Sequence, residues 1–287
     1  MNIGCTRIFK KGYIMWWYIL GATVLIFLIY FIWGNVTIKI KYLKVESKGL
    51  PPAFSGLKIA HVSDVHNTKK WGKTEKILSA LKEERVDAIF LTGDLIDSRL
   101  TDEKAGLAFA ENLQKIAQVY FVLGNHEARL KDLDKIIQKL KSFGVIVLIN
   151  SSVEIEKQGD KITILGVADP VLHAKYRSKR EREVVEKNLD ETLSCKTGYT
   201  ILLSHRPEHF DLYESKGINL IFAGHAHGGQ WRFFGHGVFA PGQGIFPKYT
   251  AGVIDGRCII SRGTGDHTPI PRVANPRELV IIHCKSK

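Results

Sequence analysis

The sequence predicts an α/β protein in which two β-sheets lie face to face with helices outside, preceded by one N-terminal apolar helix. Tyr13 to Trp33 carries no charge and is apolar or aromatic almost throughout. From Leu57 to Gly144, short apolar runs alternate with amphipathic stretches, the rhythm of strand–helix–strand crossovers. Beyond Val145 the runs are mostly strand-like. A chain of 287 residues with 45% hydrophobic content can bury the core that one large domain of this kind needs.

The apolar run spans about 31 Å at ~1.5 Å per helical residue, enough for a hydrocarbon core of ~30 Å. Tyr13, Trp16, Trp17 and Tyr18 crowd one end and Tyr30, Phe31 and Trp33 the other, as interfacial aromatic belts do. The length of the run, with no small-x-small site after it, favours an uncleaved anchor over a signal peptide. Residues 1–35 are therefore expected to anchor the chain. Residues 1–48 hold seven Lys or Arg and one acid, half of the chain's net charge of +12. Basic flanks beside an apolar span suit anionic lipid better than nucleic acid. Arg7, Lys10 and Lys11 before the span nearly balance Lys39, Lys41, Lys44 and Lys48 after it. The cationic leader resembles a signal anchor, which puts the N-terminus inside and the main domain outside the cell membrane, single-pass. Four scattered cysteines without a C-x-x-C pair argue against a zinc–cysteine site and give no disulfide framework.

From Val36 to Leu50 apolar and polar residues alternate, an amphipathic strand that Pro51-Pro52 ends. Residues 36–56 are expected to form a connecting strand and linker, and residues 57–287 the main domain. Within it, five buried-type strands end in polar residues: Leu57–Val62 before Asp64 and His66, Ala88–Leu91 before Asp94, and Val119–Leu123 before Asn125, His126 and Glu127. Tyr199–Leu203 precedes His205, and Leu220–Ala223 precedes His225 and His227. Lys73–Glu84, Lys104–Ile116 and Leu130–Ser142 read as helices, the last stopped by Gly144. Val145–Ile149, Val153–Ile155, Lys161–Gly166, Ala251–Ile254, Arg257–Ser261 and Glu278–His283 read as strands, with Asp255-Gly256 as a hairpin turn. In open α/β sheets the ligand site lies beyond the carboxyl ends of the strands, where these polar residues gather.

Asp64 and His66, two apart on a strand, would share one face. Any one such residue is as readily a strand cap or a buried neutral histidine. Eight of them at five strand ends are not. Oxygen and imidazole ligands without thiolate suit Mn²⁺ first, with Fe or Zn²⁺ also compatible, and the set is the right size for two ions. Two adjacent cations need a bridging anion, and Asp94 is the central carboxylate. Such a pair acidifies water and clamps an in-line displacement at phosphorus.

Asp64-Val65-His66, Gly93-Asp94-Leu95-Ile96-Asp97, Gly124-Asn125-His126-Glu127, His205 and Gly224-His225-Ala226-His227 together resemble the calcineurin-like metallophosphoesterases, in that family's order and over roughly Leu57 to Lys285. The resemblance implies a four-layer αββα sandwich with residues 57–287 as the catalytic domain. It implies that Asp64, His66 and His227 hold one divalent metal, that Asn125, His205 and His225 hold the other, and that Asp94 bridges. His126 would face the scissile phosphate as general acid or charge stabiliser, Glu127 would orient it, and Asp97 would support the set. Ala223–Gln230, Ala240–Gly244 and Phe246–Tyr249 resemble the membrane-anchored bacterial branch, some members of which act on UDP-2,3-diacylglucosamine and others as envelope phosphodiesterases.

The expected function is a membrane-anchored, binuclear-metal phosphoesterase. A metal-bridging hydroxide would attack a phosphate mono- or diester, lipid-linked or on a nucleotide sugar. The rivals are a catalytically weak metal-binding scaffold and a phosphodiesterase acting on nucleic acid or cyclic nucleotide. Arg206 and Arg232, near metal-ligand positions in sequence, are the expected clamp on substrate phosphate. Lys175–Arg182 reads as the solvated start of a helix running to Leu193, or as a basic rim. His61 reads as a core histidine, while His209, His236, His267 and His283 read as surface or structural. Phe233, Phe234, Phe239 and Phe246 either line an acyl-accepting groove or plug the loops.

Overall fold

The chain begins with helix α1 (Ile3–Val36), whose Met15–Val36 portion is long and apolar enough to cross a membrane. The computed structural model describes residues 3–67, 73–99, 102–175, 178–194, 198–265 and 270–287, so Arg177 of the basic stretch and His267 lie outside the described residues. Thr37 alone separates α1 from strand β1 (Ile38–Ser47). That strand corrects the expected linker. It pairs in parallel with the last strand over ten residues, from Ile38 opposite Arg277 to Ser47 opposite Ser286. Its inward Ile38 and Val45 are buried while Lys39, Tyr42 and Lys44 face solvent, so it belongs to the globular domain. Pro52–Phe54 then makes a single 3₁₀ turn that buries Phe54.

The first half alternates as expected: β2 (Lys58–Val62), α2 (Lys73–Glu84), β3 (Ala88–Thr92), α3 (Lys104–Gln114), β4 (Gln118–Val122), α4 (Leu133–Ser142) and β5 (Ile146–Val147). The second half runs β6 (Ser151–Lys157), β7 (Asp160–Val167), α5 (Arg180–Leu193), β8 (Tyr199–Ser204), α6 (Phe210–Ser215) and β9 (Leu220–Ala223). Two small hairpins follow, β10 (Arg232–Phe233) with β11 (His236–Gly237) and β12 (Phe239–Ala240) with β13 (Gly244–Ile245). The chain ends with β14 (Gly252–Ile254), β15 (Cys258–Ile260) and β16 (Arg277–Ser286). Asp255 and Gly256 both take positive φ, 47° and 67°, the backbone a type I′ hairpin turn requires.

Two six-stranded sheets result, ordered β1-β16-β2-β3-β4-β5 and β14-β15-β9-β8-β7-β6. β2 through β5 are parallel, as are β7 through β9, while β16 returns antiparallel to β2. Period-two alternation sorts each strand between two cores. Ile59, Phe90, Tyr120 and Val122 face the second sheet and meet Ile164, Ile201, Leu203 and Phe222. Ala60, Ile89, Leu91 and Phe121 face α2, α3 and α4 instead. On the far side Leu165, Leu202 and Ile221 pack under Val185 and Leu189 of α5 and Phe210 and Tyr213 of α6. The architecture is therefore an αββα sandwich. Burying each large apolar side chain here contributes about 1.5–3 kcal/mol, so the inter-sheet layer holds the two sheets in fixed opposition.

Beneath the strand ends Phe222 contacts Phe90 edge-on at 4.8 Å and His61 at 5.2 Å. His61 is wholly buried, with Nε2 2.8 Å from Thr92 Oγ1, and burial pushes its pKa down to about 3. It is a neutral core residue, a floor for the strand ends above it.

Candidate metal centre

The carboxyl ends of β2, β3 and β4 in one sheet and of β8 and β9 in the other converge on one cup. Asp64, His66, Asp94, Asn125, His126, His205, His225 and His227 all lie there, each no more than 5% exposed. Strand geometry does not align Asp64 with His66, contrary to expectation. β2 stops at Val62, and the chain reaches the cup through left-handed turns, with φ of 52° at Asp64 and 49° at His66. Asp94, His225 and His227 are left-handed too, at 53°, 64° and 46°. L-residues with side chains pay for that conformation, and it persists only where surroundings over-determine it.

Those surroundings are visible. Glu127 is fully buried, and its carboxylate accepts the backbone N–H groups of Asp94 (2.8 Å), Ile96 (2.8 Å) and Gly124 (2.9 Å). It binds the β3 and β4 turns together and does not touch the His126 ring in the way the sequence suggested. Gly93, at φ 83°, sits so close to the next turn that a Cβ there would lie 2.6 Å from Gly124 and 2.7 Å from His205 Nδ1. Across the sheets, Asp64 accepts from the His225 N–H at 3.1 Å, and Thr264 and Gly265 donate to the Ser63 and Asp64 carbonyls.

The side-chain atoms then face one another. His227 Nε2 lies 3.4 Å from Asp64 Oδ1 and 3.3 Å from His66 Nε2. His205 Nε2 lies 3.2 Å from both Asp94 Oδ2 and His225 Nδ1. His205 Nδ1–H donates to the Thr92 carbonyl at 2.7 Å, which fixes the tautomer and leaves Nε2 to the cup. Asp94 Oδ2 serves both sides, since His66 Nε2 is 3.8 Å from it, while Oδ1 accepts the His126 N–H at 2.9 Å. Ligand-capable atoms fall into overlapping triads: Asp64, His66 and His227; Asp94, His205 and His225; and His66, Asp94 and His126. One amide atom of Asn125 lies 2.8 Å from His225 Nδ1 and the other 3.1 Å from Arg129 Nη1. Hydrogen bonding alone puts the NH₂ against His225, whereas a cation shared with His225 requires the oxygen there.

Electrostatics agree with a cation-binding cup. Burial pushes the Asp64 carboxyl up to about 6, with Asp94 adding to it, and burial with Asp94 raises Glu127 to about 7. Burial acts most strongly on His205 and would lower its pKa, yet the Asp94 charge and hydrogen bond raise it to about 10. An anionic cluster of this kind favours positive charge at its centre. Carboxylates and imidazoles packed this tightly, without thiolate, form a donor set that fits divalent metal ions.

Asp97 and Ser98, not Glu127, hold the His126 ring: Nδ1 lies 3.1 Å from Asp97 Oδ1 and 3.1 Å from Ser98 Oγ. Burial would lower the His126 pKa, but Asp97, Asp94 and Glu127 together raise it. Arg99 also pairs with Asp97.

The two expected phosphate clamps are engaged elsewhere. Arg206 is fully buried, its guanidinium paired with Asp169 and Glu208 and its Nη1 3.2 Å from His225 Nε2. Arg232 spends its donors on Gly228 O, Thr250 Oγ1 and Gly235 O, tying a glycine-rich loop. The cup is instead lined by Arg99 and Arg129, with Asp94, Asn125, His126, His225, His227 and Pro241. Buried Arg272, whose Nη2 is 3.3 Å from His227 Nδ1, and Asp169 also support the cup. Arg272 and Asp169 lie in loops with no periodic pattern, so only the fold reveals them. Arg129 stands four residues after Asn125, one helical turn on, which was a usable signal. His209 is buried beside Tyr213 and His236 is exposed. Arg180 and Arg182 lie on the exposed face of α5, where Arg182 pairs with Asp211.

The family model described as calcineurin-like phosphoesterase matches residues 57–229. The uncharacterized metallophosphoesterase YkoQ of Bacillus subtilis is 29% identical over 198 residues, covering 67% of this chain and 69% of that protein. YpbG of the same organism is 28% identical over 245 residues, covering 83% of this chain and 84% of YpbG. A transmembrane protein with metallophosphoesterase domain from Danio rerio is 29% identical over 201 residues, or 67% of this chain and 45% of that one. The chain belongs to the calcineurin-like phosphoesterases, metal-dependent hydrolases of phosphoester bonds.

Proposed function

We propose that the chain is a membrane-anchored phosphoesterase using two divalent metal ions, with Asp64, His66 and His227 holding one, Asn125, His205 and His225 the other, and Asp94 between them. The observation that carries this reading is the single oxygen, Asp94 Oδ2, that faces His205 on one side and His66 on the other. Mn²⁺ suits an oxygen–imidazole set, and bound metals supply an acidified water and a clamp on the phosphoryl oxygens.

The chain's own residues do the rest. His126, oriented by Asp97 and raised in pKa, holds a proton to give to the leaving oxygen. Asn125 and Arg129 face the same space and stabilise charge developing on phosphorus-bound oxygens. Arg99 and Arg129 take the substrate-binding role first given to Arg206 and Arg232, because they line the cup. The substrate is a phosphate mono- or diester, and anchoring by α1 favours one borne on lipid or a nucleotide sugar at the outer face of the cell membrane. A degenerate scaffold is disfavoured because every expected ligand position is filled and buried.

Metal-stripped full-length protein, refilled with Mn²⁺, Fe²⁺, Zn²⁺ or Mg²⁺, should regain turnover of bis-p-nitrophenyl phosphate, with Mn²⁺ best and two equivalents bound at saturation. Full activity at one equivalent would reject the two-ion reading.

A further inference from the structure

The hairpins β10–β11 and β12–β13, with the turn after them, expose Trp231, Phe233, Phe234, Phe239, Ile245 and Phe246 together. Phe234 is 102% exposed and Phe246 82%. Phe234 and Gly235, at φ 48° and 85°, are the two-residue turn joining β10 to β11, so a phenyl ring stands at the hairpin tip where turn chemistry favours Asn or Gly, and Phe246 follows β13 at φ 54°. Clustered apolar exposure of this kind marks an interaction surface rather than ordinary scatter.

The position of the cluster identifies its partner. Asn35, at the end of α1, donates from Nδ2 to the Arg272 carbonyl at 2.8 Å and accepts the Arg272 N–H at 2.9 Å. Val273 to Pro276 line a crevice with Phe27, Tyr30, Phe31 and Gly34 of α1, so this loop packs beside the last turns of the helix. Trp231 and Arg232 bond directly to that loop, through Nε1 to the Pro271 carbonyl and through N–H to the Val273 carbonyl, both at 3.0 Å. Val238 donates to Trp231, and Phe246 to Val238, which carries the connection into the second hairpin. Pro241, between β12 and β13, lines the metal cup. Helix end, loop, exposed aromatics and cup rim thus form one continuous surface.

We propose that these two hairpins are a wedge that seats the domain in the interface of the bilayer holding α1, turning the cup toward phosphoesters presented at lipid headgroups. The proposal rests on the anchoring read for α1. Trp231 suits the headgroup level and the Phe and Ile side chains the boundary with the acyl chains, while exposed Lys39 at the α1 crevice and Lys248, two residues after Phe246, supply cations on the same side.

The test uses the full chain in liposomes of neutral and anionic phospholipid, carrying Cys5→Ser and Cys195→Ser. A nitroxide is placed in turn through Phe234→Cys, Phe246→Cys, Phe27→Cys on α1 and Lys187→Cys on α5. Labels at 234, 246 and 27 should favour collision with oxygen over an aqueous nickel chelate, and the label at 187 the reverse. A lipid-exposed label at 27 with water-exposed labels at 234 and 246 would overturn the wedge and leave the anchor standing. A water-exposed label at 27 would overturn the anchor and the wedge with it. Labels at 234 and 246 shielded from both probes would mean a second copy or another protein covers the face, which also overturns the proposal. As a second readout, Phe234→Ser with Phe246→Ser should lower turnover of a vesicle-borne phosphodiester about tenfold and leave turnover of soluble bis-p-nitrophenyl phosphate unchanged. Equal losses on both substrates would assign the two rings to folding and reject the wedge.

Discussion

The two sheets supply the cup in different currencies. β2, β3 and β4 deliver both carboxylates, the amide and His126, on turns tied by Glu127 and packed glycine against glycine. β8 and β9 deliver only imidazoles, held by Thr92 O from β3 of the opposing sheet and by Arg206 and Arg272. Negative charge and the candidate general acid therefore come from the first sheet, and the second sheet adds imidazoles alone. Of the three ligand-capable triads among the described residues, His66, Asp94 and His126 come from the first sheet alone, while the other two are shared between the sheets. Asp64 needs His227 across the gap and Asp94 needs His205, so the cup exists only while the inter-sheet core keeps the layers in register.

Substitutions on the two sides should separate these contributions. Asp94→Asn removes the one anion facing both triads and is expected to lower kcat on bis-p-nitrophenyl phosphate by roughly 10³-fold or more, with metal content reduced. Wild-type turnover by that variant would sink the two-ion reading. His126→Ala should retain metal and lose on the order of 10²–10⁴ in kcat, the usual scale of a general acid, and metal analysis checks it. If metal is lost instead, His126 is a ligand, as its triad with His66 and Asp94 would allow.

The support on the second sheet predicts a different signature. Arg206→Met leaves Asp169 buried without its partner and should cost about 3–5 kcal/mol of stability, with KM little changed in protein that folds. A rise in KM without a fall in Tm would restore Arg206 to the substrate. Smallest is Arg129→Gln at the cup wall, expected to raise KM a few-fold and leave Tm within a degree or two. A steady KM would remove Arg129 from the phosphate-binding set.

Much of this was legible because the cup sits at strand ends. A buried parallel strand must be apolar, so the polar residue that follows it stands out, and Asp64, Asp94, Asn125, His205 and His225 were readable for that reason. Arg206 misled because nearness in sequence to a ligand says nothing of which way a long side chain turns. Asp169, from a loop after β7, takes its charge. Glu127 misled likewise: its neighbour is His126, yet its partners include backbone amides on the turn after the adjacent strand β3.

By itself the sequence determined which residue types bear chemistry, the alternation of strands and helices, and an apolar helix long enough to span a bilayer. Those depend on local periodicity and composition, which act over a few residues. Only the tertiary structure decided that β1 joins the domain's sheet beside β16, that left-handed turns aim Asp64 and His66, and which arginine faces the cup. Each of these is a contact between segments tens to hundreds of residues apart, and its energy comes from packing and burial that no local pattern encodes.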